Sequence, residues 1–244
     1  MAAGGGGVNL FAEAMAYLLD PANWAGDGSI GLRILEHLAF SGAVLLVAAA
    51  IGVPAGVLIG HTGRGRGLVI ALTSGARAIP TLGLLTIFGL LLGIGFEAPF
   101  LALVVLALPP VLAGAYAGVE SVDRLVIGGA RAIGMTERQI LTGVELPLAS
   151  PVLIGGLRSA ALQVISTATL AAYVSDTGLG RLIFSGLKTR DYGVMLAGSL
   201  LVALLALVVE LLFQAAQSAA ARRAEPLGTP RTTARARASE RNSA

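Results

Sequence analysis

The stretch Leu38 to Gly60 carries no charged side chain. A hydrocarbon core about 30 Å thick is crossed by roughly 20 helical residues, and this run meets that length. Four more apolar regions follow: Leu68 to about Gly95, Phe100 to Val119, Pro151 to about Val174, and Tyr192 to about Gln217. In lipid every backbone polar group must be satisfied internally, which leaves helices for a chain of this kind. The expected fold class is therefore an all-α membrane protein with about five transmembrane helices. Composition agrees, with 55% hydrophobic residues, 13% charged residues and a mean hydropathy of +0.82.

The charges are clustered. Residues 1 to about 30 contain no Lys or Arg but do contain Glu13, Asp20 and Asp27, which suits the extracytoplasmic side and excludes a secretory signal with a positive n-region. Phe11 to Leu19 reads as a short interfacial helix, with Trp24 at headgroup depth. Arg33, Glu36 and His37 form an amphipathic entry to the first span, where a lone His is expected at the interface rather than as a ligand. The segment His61 to Gly67 follows Gly60, which with Gly65 has P-loop spacing. Arg66 and Gly67 stand where Lys and Ser or Thr are required, so it reads as a cytoplasmic turn. The pI near 9.8 follows from such turns and from the tail. Without interleaved aromatic and basic residues, no nucleic-acid partner is expected. The absence of Cys removes disulfides, thiolate metal sites and Cys nucleophiles.

Small residues and prolines mark the spans. Gly52, Gly56 and Gly60 recur every fourth residue and predict a close helix contact, as do Gly114 and Gly118. Pro54 lies in the first span, Arg77 and Pro80 interrupt the second, and Pro109-Pro110 is expected to break the third. Arg158 is expected to reach headgroups or the polar elbow described next. Gln163, Ser166, Thr167 and Leu170 share one side of a helix, consistent with a pore-facing stripe. Each hydroxyl could equally bond its own backbone.

Glu120 to Arg158 reads as helix and turn, yet its first half is too polar for lipid. Ser121 is expected to cap a helix that runs to about Ile133, with Gly134 as the left-handed residue ending it. Thr136 and Gln139 form a capping box, Glu137 opens the next turn, and Pro147 is expected to end it. Asp191 is placed to cap the last span, and Glu210 near its inner end can pair with an arginine. Residues 222 to 244 carry six arginines and two prolines, and are expected to be a disordered tail near anionic lipid.

The elbow resembles a known motif. Gly128-Gly129-Ala130, Gly134 and Val144-x-Leu146-Pro147 have the spacing of the EAA loop of ABC-importer permeases. In this chain the family's Glu falls on Gly128 and its first Ala on Gly129. That departure implies either a weaker ATPase contact or a partner permease with the fuller loop. Arg77-Ala-Ile-Pro80-Thr-Leu is similar to the Gln-Thr-Ile-Pro-Ser-Leu that opens a pore-lining helix in osmoprotectant permeases. Gly178, Gly180, Leu182, Ile183, Phe184 and Gly186 match the stretch between the last two core helices of betaine, choline and carnitine permeases, an extracytoplasmic re-entrant piece in that family.

The resemblance covers roughly residues 34 to 217 and implies the type I ABC-importer permease fold. Its implied divisions are an extracytoplasmic segment at 1–33, a permease domain at 34–217 and a basic cytoplasmic tail at 218–244, with a coupling loop at 120–150 and a re-entrant segment at 175–190. It implies ATPase contacts through Gly129, Ala130, Arg131, Gly134, Met135, Thr136, Glu137, Val144, Leu146 and Pro147. Pore or gate residues would be Arg77, Pro80, Gln163, Ser166, Thr167, Gly178 and Gly180. The implied partners are ABC ATPase subunits, an extracytoplasmic solute-binding protein, a second permease (identical or paralogous) and membrane lipid.

The implied role is a permease in the bacterial inner membrane, N-terminus outside and C-terminus cytoplasmic, for glycine betaine, proline or a related compatible solute. ATP and Mg would be used by the partner subunit, with no cofactor or catalytic site in this chain. The alternative, an ATPase-independent secondary transporter or channel, predicts internal repeats and paired intramembrane carboxylates. The sequence offers only Glu210 and no repeat.

Overall fold

The computed structural model describes residues 6–76 and 78–224. Helix α1 (Gly6–Leu19) is followed by a 3-10 turn (Pro21–Trp24), then α2 (Ile30–Thr62), α3 (Arg66–Ala76), α4 (Thr81–Leu92) and α5 (Glu97–Glu120). Next come α6 (Arg124–Ala132), α7 (Glu137–Ile140), a π-helical turn (Leu141–Glu145), α8 (Leu146–Ala171), α9 (Gly180–Thr189) and α10 (Tyr192–Ala224). Arg77 and the tail beyond residue 224 lie outside the described residues, as do the expectations attached to them.

Among the described residues, four helical stretches are long and apolar enough to cross a membrane: Ile30–Thr62, Glu97–Glu120, Glu137–Ala171 and Tyr192–Ala224. This corrects the expected count of five. The second apolar region is divided into α3, of 11 residues, and α4, of 12. At 1.5 Å per residue each is under about 20 Å long. Pro80 supplies the reason, since it lacks an N–H and biases Ile79 away from the helical region.

Lipid tails are as apolar as leucine, so helices in a bilayer gain by close packing more than by leaving solvent. The glycine stripes do this. Gly52, Gly56 and Gly60 on α2 lie against α5. A Cβ at Gly56 would come 2.6 Å from the Leu112 carbonyl oxygen and 2.7 Å from the Ala115 Cβ. On α5, Gly114 meets Gly156 of α8 backbone to backbone, and Gly118 meets Ala149. Helix α5 thus lies between α2 and α8, and α10 packs on the far side of α8. Phe40, Val44, Leu85, Leu103, Val111 and Val164 fill the centre. Helices α1 and α9 pack against α10, with Ala14 of α1 fully buried.

Pro109 and Pro110 do not break the third span, because α5 runs unbroken through both. The last span is longer than expected, reaching Ala224. Asp191 caps its start as expected, its Oδ1 accepting from the Val194 N–H at 3.0 Å.

Candidate functional site

The polar elbow between α5 and α8 is built from capping chemistry. Ser121 does not start α6 as expected; its Oγ donates to the Gly118 carbonyl at 2.7 Å and closes α5. Asp123 takes the cap, its Oδ1 accepting from the Leu125 N–H at 2.8 Å. An Asp one turn-position later does this better because its carboxylate also meets the positive end of the helix. Gly134 adopts φ +86° and turns the chain, as expected. Thr136 and Gln139 form both bonds of the capping box.

Pro147 does not end the second elbow helix. The backbone passes through the π turn and continues straight into α8, so that Glu137–Ala171 is one 35-residue stretch. Pro147 stands in the first turn of α8, where its missing N–H is tolerated.

The elbow has a buried and an exposed side. Ile127, Ala130 and Ile140 are buried against Val57, Val119 and Ala149, with Met135, Val144 and Leu146 packed at the edge. On the other side Leu125 is 82% exposed and Ile133 80%, with Gly129, Arg131, Gly134, Thr136, Glu137 and Pro147 also exposed. Of the ten expected residues, eight lie in the elbow and Leu146 and Pro147 in the first turn of α8, and six of the ten are exposed.

A charge relay ties the elbow to α2. Arg131 grips Glu137 with two bonds, Nε to Oε1 at 2.8 Å and Nη2 to Oε2 at 3.0 Å. The carboxylate raises the Arg131 guanidinium above its usual range. His61, in the last turn of α2, lies 3.5 Å from Glu137 by Nε2 and 2.5 Å from Glu145 by Nδ1. Glu145 is 2% exposed. Neither His61 nor Glu145 stands out in the sequence as a site residue. They are far apart along the chain, and the pattern Val-x-Leu-Pro leaves the position of Glu145 unspecified.

The stripe on α8 divides. Gln163 and Ser166 are exposed and Thr167 is half-buried, so that side of the helix is left uncovered by this chain. The Thr167 hydroxyl donates to the Gln163 carbonyl at 2.7 Å, its own helix backbone. Gln163 donates through Nε2 to the Leu106 carbonyl at 3.4 Å. Pro80 precedes α4 without a side-chain cap bond.

The segment after α8 is held to the start of α2. Gly178, with φ +75°, donates its N–H to Glu36 Oε2 at 2.9 Å. Arg33 Nη1 donates to Glu36 Oε2 at 3.0 Å and to the Asp176 carbonyl at 2.7 Å. Gly180 lies directly against the Thr169 carbonyl, leaving no room for a side chain. His37 is not interfacial; it is 2% exposed, beneath Gly178, with Nε2 3.0 Å from the Ile165 carbonyl oxygen.

Arg158 does not reach the elbow. It pairs with Glu210 on α10, Nε to Oε2 at 2.7 Å, and its Nη1 donates to Gln217 Oε1 at 3.2 Å. The expected arginine partner of Glu210 is therefore Arg158. Charges at this depth are stable only when paired within the protein.

Residues 52–225 match the family described as binding-protein-dependent transport system inner membrane component. The carnitine transport permease protein of Listeria monocytogenes is 36% identical over 72% of this chain and 80% of its own length. A choline transport system permease protein of Bacillus subtilis is 30% identical over 84% of this chain and 92% of its own. Among solved structures, a chain of the inward-facing MetNI methionine ABC transporter superposes with a TM-score of 0.67. It is 23% identical and covers 80% of this chain and 99% of that one.

Proposed function

This chain belongs to the binding-protein-dependent transport system inner membrane components, the permeases of ABC importers, and from that premise we propose that it admits a small compatible solute. It is a transport subunit, not a catalyst. The solute class is a methylated ammonium zwitterion or its relatives, such as glycine betaine, choline, carnitine or proline. Support comes from relatives named for carnitine, choline and glycine betaine transport.

The observation that carries the mechanism is the elbow itself. It is anchored from within by Ile127 and Ile140 and outwardly presents Leu125 and Ile133, large apolar side chains on an otherwise polar turn. Such a patch on a membrane protein suits a protein partner. In this reading the partner is the ATPase subunit, which uses ATP and Mg, and residues 120–150 are the coupling loop. The unbroken stretch from Glu137 to Ala171 then acts as a lever. A movement of the elbow at the inner leaflet is carried along α8 without a joint, past Gln163 and Ser166 on its uncovered side. The charge relay to His61 carries the same movement into α2.

The broken pair α3 and α4 together makes a fifth crossing in the permease domain at 34–217, with Pro80 at its joint. The α8 stripe, with Gln163 and Ser166 exposed and Thr167 half-buried, lines the path with a second permease, identical or paralogous. Residues 175–190, with Gly178 and Gly180, form the re-entrant piece near the outer gate, where the solute-binding protein delivers cargo. Residues 6–33 lie on the outer side, and the end of α10 at Arg222 and Arg223 on the cytoplasmic side. ATP binding and hydrolysis then switch the bundle between outward- and inward-open arrangements.

The test is co-purification with an ABC ATPase, followed by uptake in proteoliposomes containing the ATPase and binding protein. ATP-dependent uptake of a labelled methylated ammonium solute is expected. Uptake that proceeds without ATP, driven by an ion gradient alone, would reject the reading.

A further inference from the structure

Pro110 has no N–H, so the carbonyl of Leu106, four residues earlier, loses its partner within α5. The amide of Gln163 reaches across from α8 to answer it, but at 3.4 Å. That length is beyond the usual range of a strong hydrogen bond, and it leaves the oxygen open to a better partner. The oxygen's residue lies on the wall of a cavity of about 210 Å³, together with Thr73, Pro110, Ser159 and Gln163.

The position of the cavity matters. Pro110 stands halfway along α5, and Ser159 and Gln163 halfway along α8. The third wall, Thr73, lies on α3 shortly before the helix is interrupted. Unpaired backbone persists in a membrane only where protein or a polar cavity takes it up. Of the three walls only α3 is interrupted, while α5 and α8 bring polar groups to mid-helix, the depth at which small polar cargo is held in transporters. A larger cavity of about 500 Å³ between α2, α3 and α5 is aliphatic almost throughout and offers a polar solute nothing.

We infer that the Thr73–Leu106–Ser159–Gln163 cavity is a resting subsite for the solute inside the membrane, and that it takes a compact zwitterion. The carboxylate is met by the Ser159 hydroxyl and by the second N–H of the Gln163 amide. The methylated ammonium is met by oxygen dipoles, the Leu106 carbonyl and the Thr73 hydroxyl. Thr73 already donates its proton to the Val69 carbonyl at 2.8 Å, which leaves its oxygen as an acceptor. Among the described residues, no charged side chain lines the cavity. Both ends of the solute are therefore held by dipoles, firmly enough to enter and weakly enough to leave. The volume lies below the roughly 300 Å³ at which pockets for drug-sized ligands begin, as a small solute requires.

This inference rests on the proposed function, and the test separates the two. The complete transporter, with its ATPase and binding protein in proteoliposomes, is assayed with labelled glycine betaine and labelled choline. Choline lacks the carboxylate. Ser159→Ala keeps the packing and should lower glycine betaine uptake about tenfold, the effect of losing one hydrogen bond to a charged group. Choline uptake should fall much less, and binding-protein-stimulated ATP hydrolysis should persist. Gln163→Leu should show the same split. Ser159→Ala protein that carries both solutes at wild-type rates, or loses both equally, overturns the subsite alone. Wild-type protein without ATP-driven uptake of either solute takes down the functional reading and the subsite with it.

Discussion

The imidazole Nδ1 of His61 lies 2.5 Å from Oε2 of Glu145, joining the last turn of α2 to the π turn that opens α8. With Glu137 at 3.5 Å from the other ring nitrogen and Arg131 beyond it, four side chains hold the elbow to the bundle. Glu145 is 2% exposed, and a buried polar group that loses its hydrogen-bond partner costs about 1–3 kcal/mol. His61→Ala should therefore lower the thermal inactivation temperature of the purified complex and reduce solute carried per ATP. Replacing both residues, as His61→Leu with Glu145→Leu, should restore stability but not coupling. Recovery of coupling in the double variant would show that the pair serves stability alone.

Gly134 turns the elbow at φ +86° with open space around it. A side chain there meets no neighbour; the cost is in the backbone, about 1–2 kcal/mol for an ordinary residue and more for a β-branched one. Gly134→Val should insert and assemble, yet separate hydrolysis from uptake under the proposed coupling role, because α6 and α7 no longer keep their relative placement on the exposed side of the elbow. Gly134→Asn, which tolerates the left-handed region, should keep most of the coupling. Equal uptake per ATP in wild type and Gly134→Val would remove the elbow from the coupling path.

Helix packing makes a sharper demand at Gly56, where a Cβ would sit 2.6 Å from a backbone oxygen of α5. Neither backbone can move without disturbing the α2–α5 contact. Gly56→Val should abolish stable folding, seen as loss of a monodisperse complex in detergent. Gly42, with nothing near it, should accept Ala freely. A stable, monodisperse Gly56→Val complex would contradict the close crossing.

Which features were legible in the sequence follows from their range. The capping box at Thr136, the turn at Gly134 and the glycine stripes on α2 and α5 are local patterns, each with one backbone solution, and each is found as expected. The cap at Asp123 rather than Ser121 is a choice between neighbours that depends on where α5 stops. The continuity of α5 through Pro109 and Pro110 was hidden because the partner of the freed Leu106 carbonyl is Gln163, on another helix. The π turn was hidden likewise, since Pro147 reads as a stop when nothing in the sequence says the preceding turn is widened. His37 and His61 look alike as lone histidines towards the two ends of an apolar run. Only tertiary contacts distinguish a ring bonded to the Ile165 carbonyl from one wedged between two carboxylates.

Arg158 and Glu210 connect α8 to α10 part-way through the span, with side chains 30% and 22% exposed. Removing one partner leaves an uncompensated charge facing apolar surroundings, whereas removing both leaves none. Arg158→Leu and Glu210→Leu should each lower the yield of assembled complex, and the double variant should recover much of it. Gln217 also touches Arg158, so its loss should matter little once Arg158 is gone. Yield and inactivation temperature of the two single variants and the double variant form the cycle. Strictly additive losses would mean the two charges find separate partners in the membrane.

Orientation yields the last prediction. The basic turn at Arg64 and Arg66, the elbow and the end of α10 at Arg222 and Arg223 lie together on one side if α2, α5, α8 and α10 cross the bilayer and α3–α4 makes a paired crossing. Positive charge favours the cytoplasm, and the proposed coupling role of the elbow requires the same side. The chain has no native cysteine, so a single Met135→Cys reports without background. Met135 is partly buried at the elbow's edge, and a small maleimide should label it in inverted vesicles and in detergent but not in intact cells. Phe11→Cys, on the exposed side of α1, should show the reverse pattern and serves as the internal control. Labelling of Met135→Cys from outside intact cells, with Phe11→Cys protected, would invert the topology and separate the elbow from any cytoplasmic ATPase.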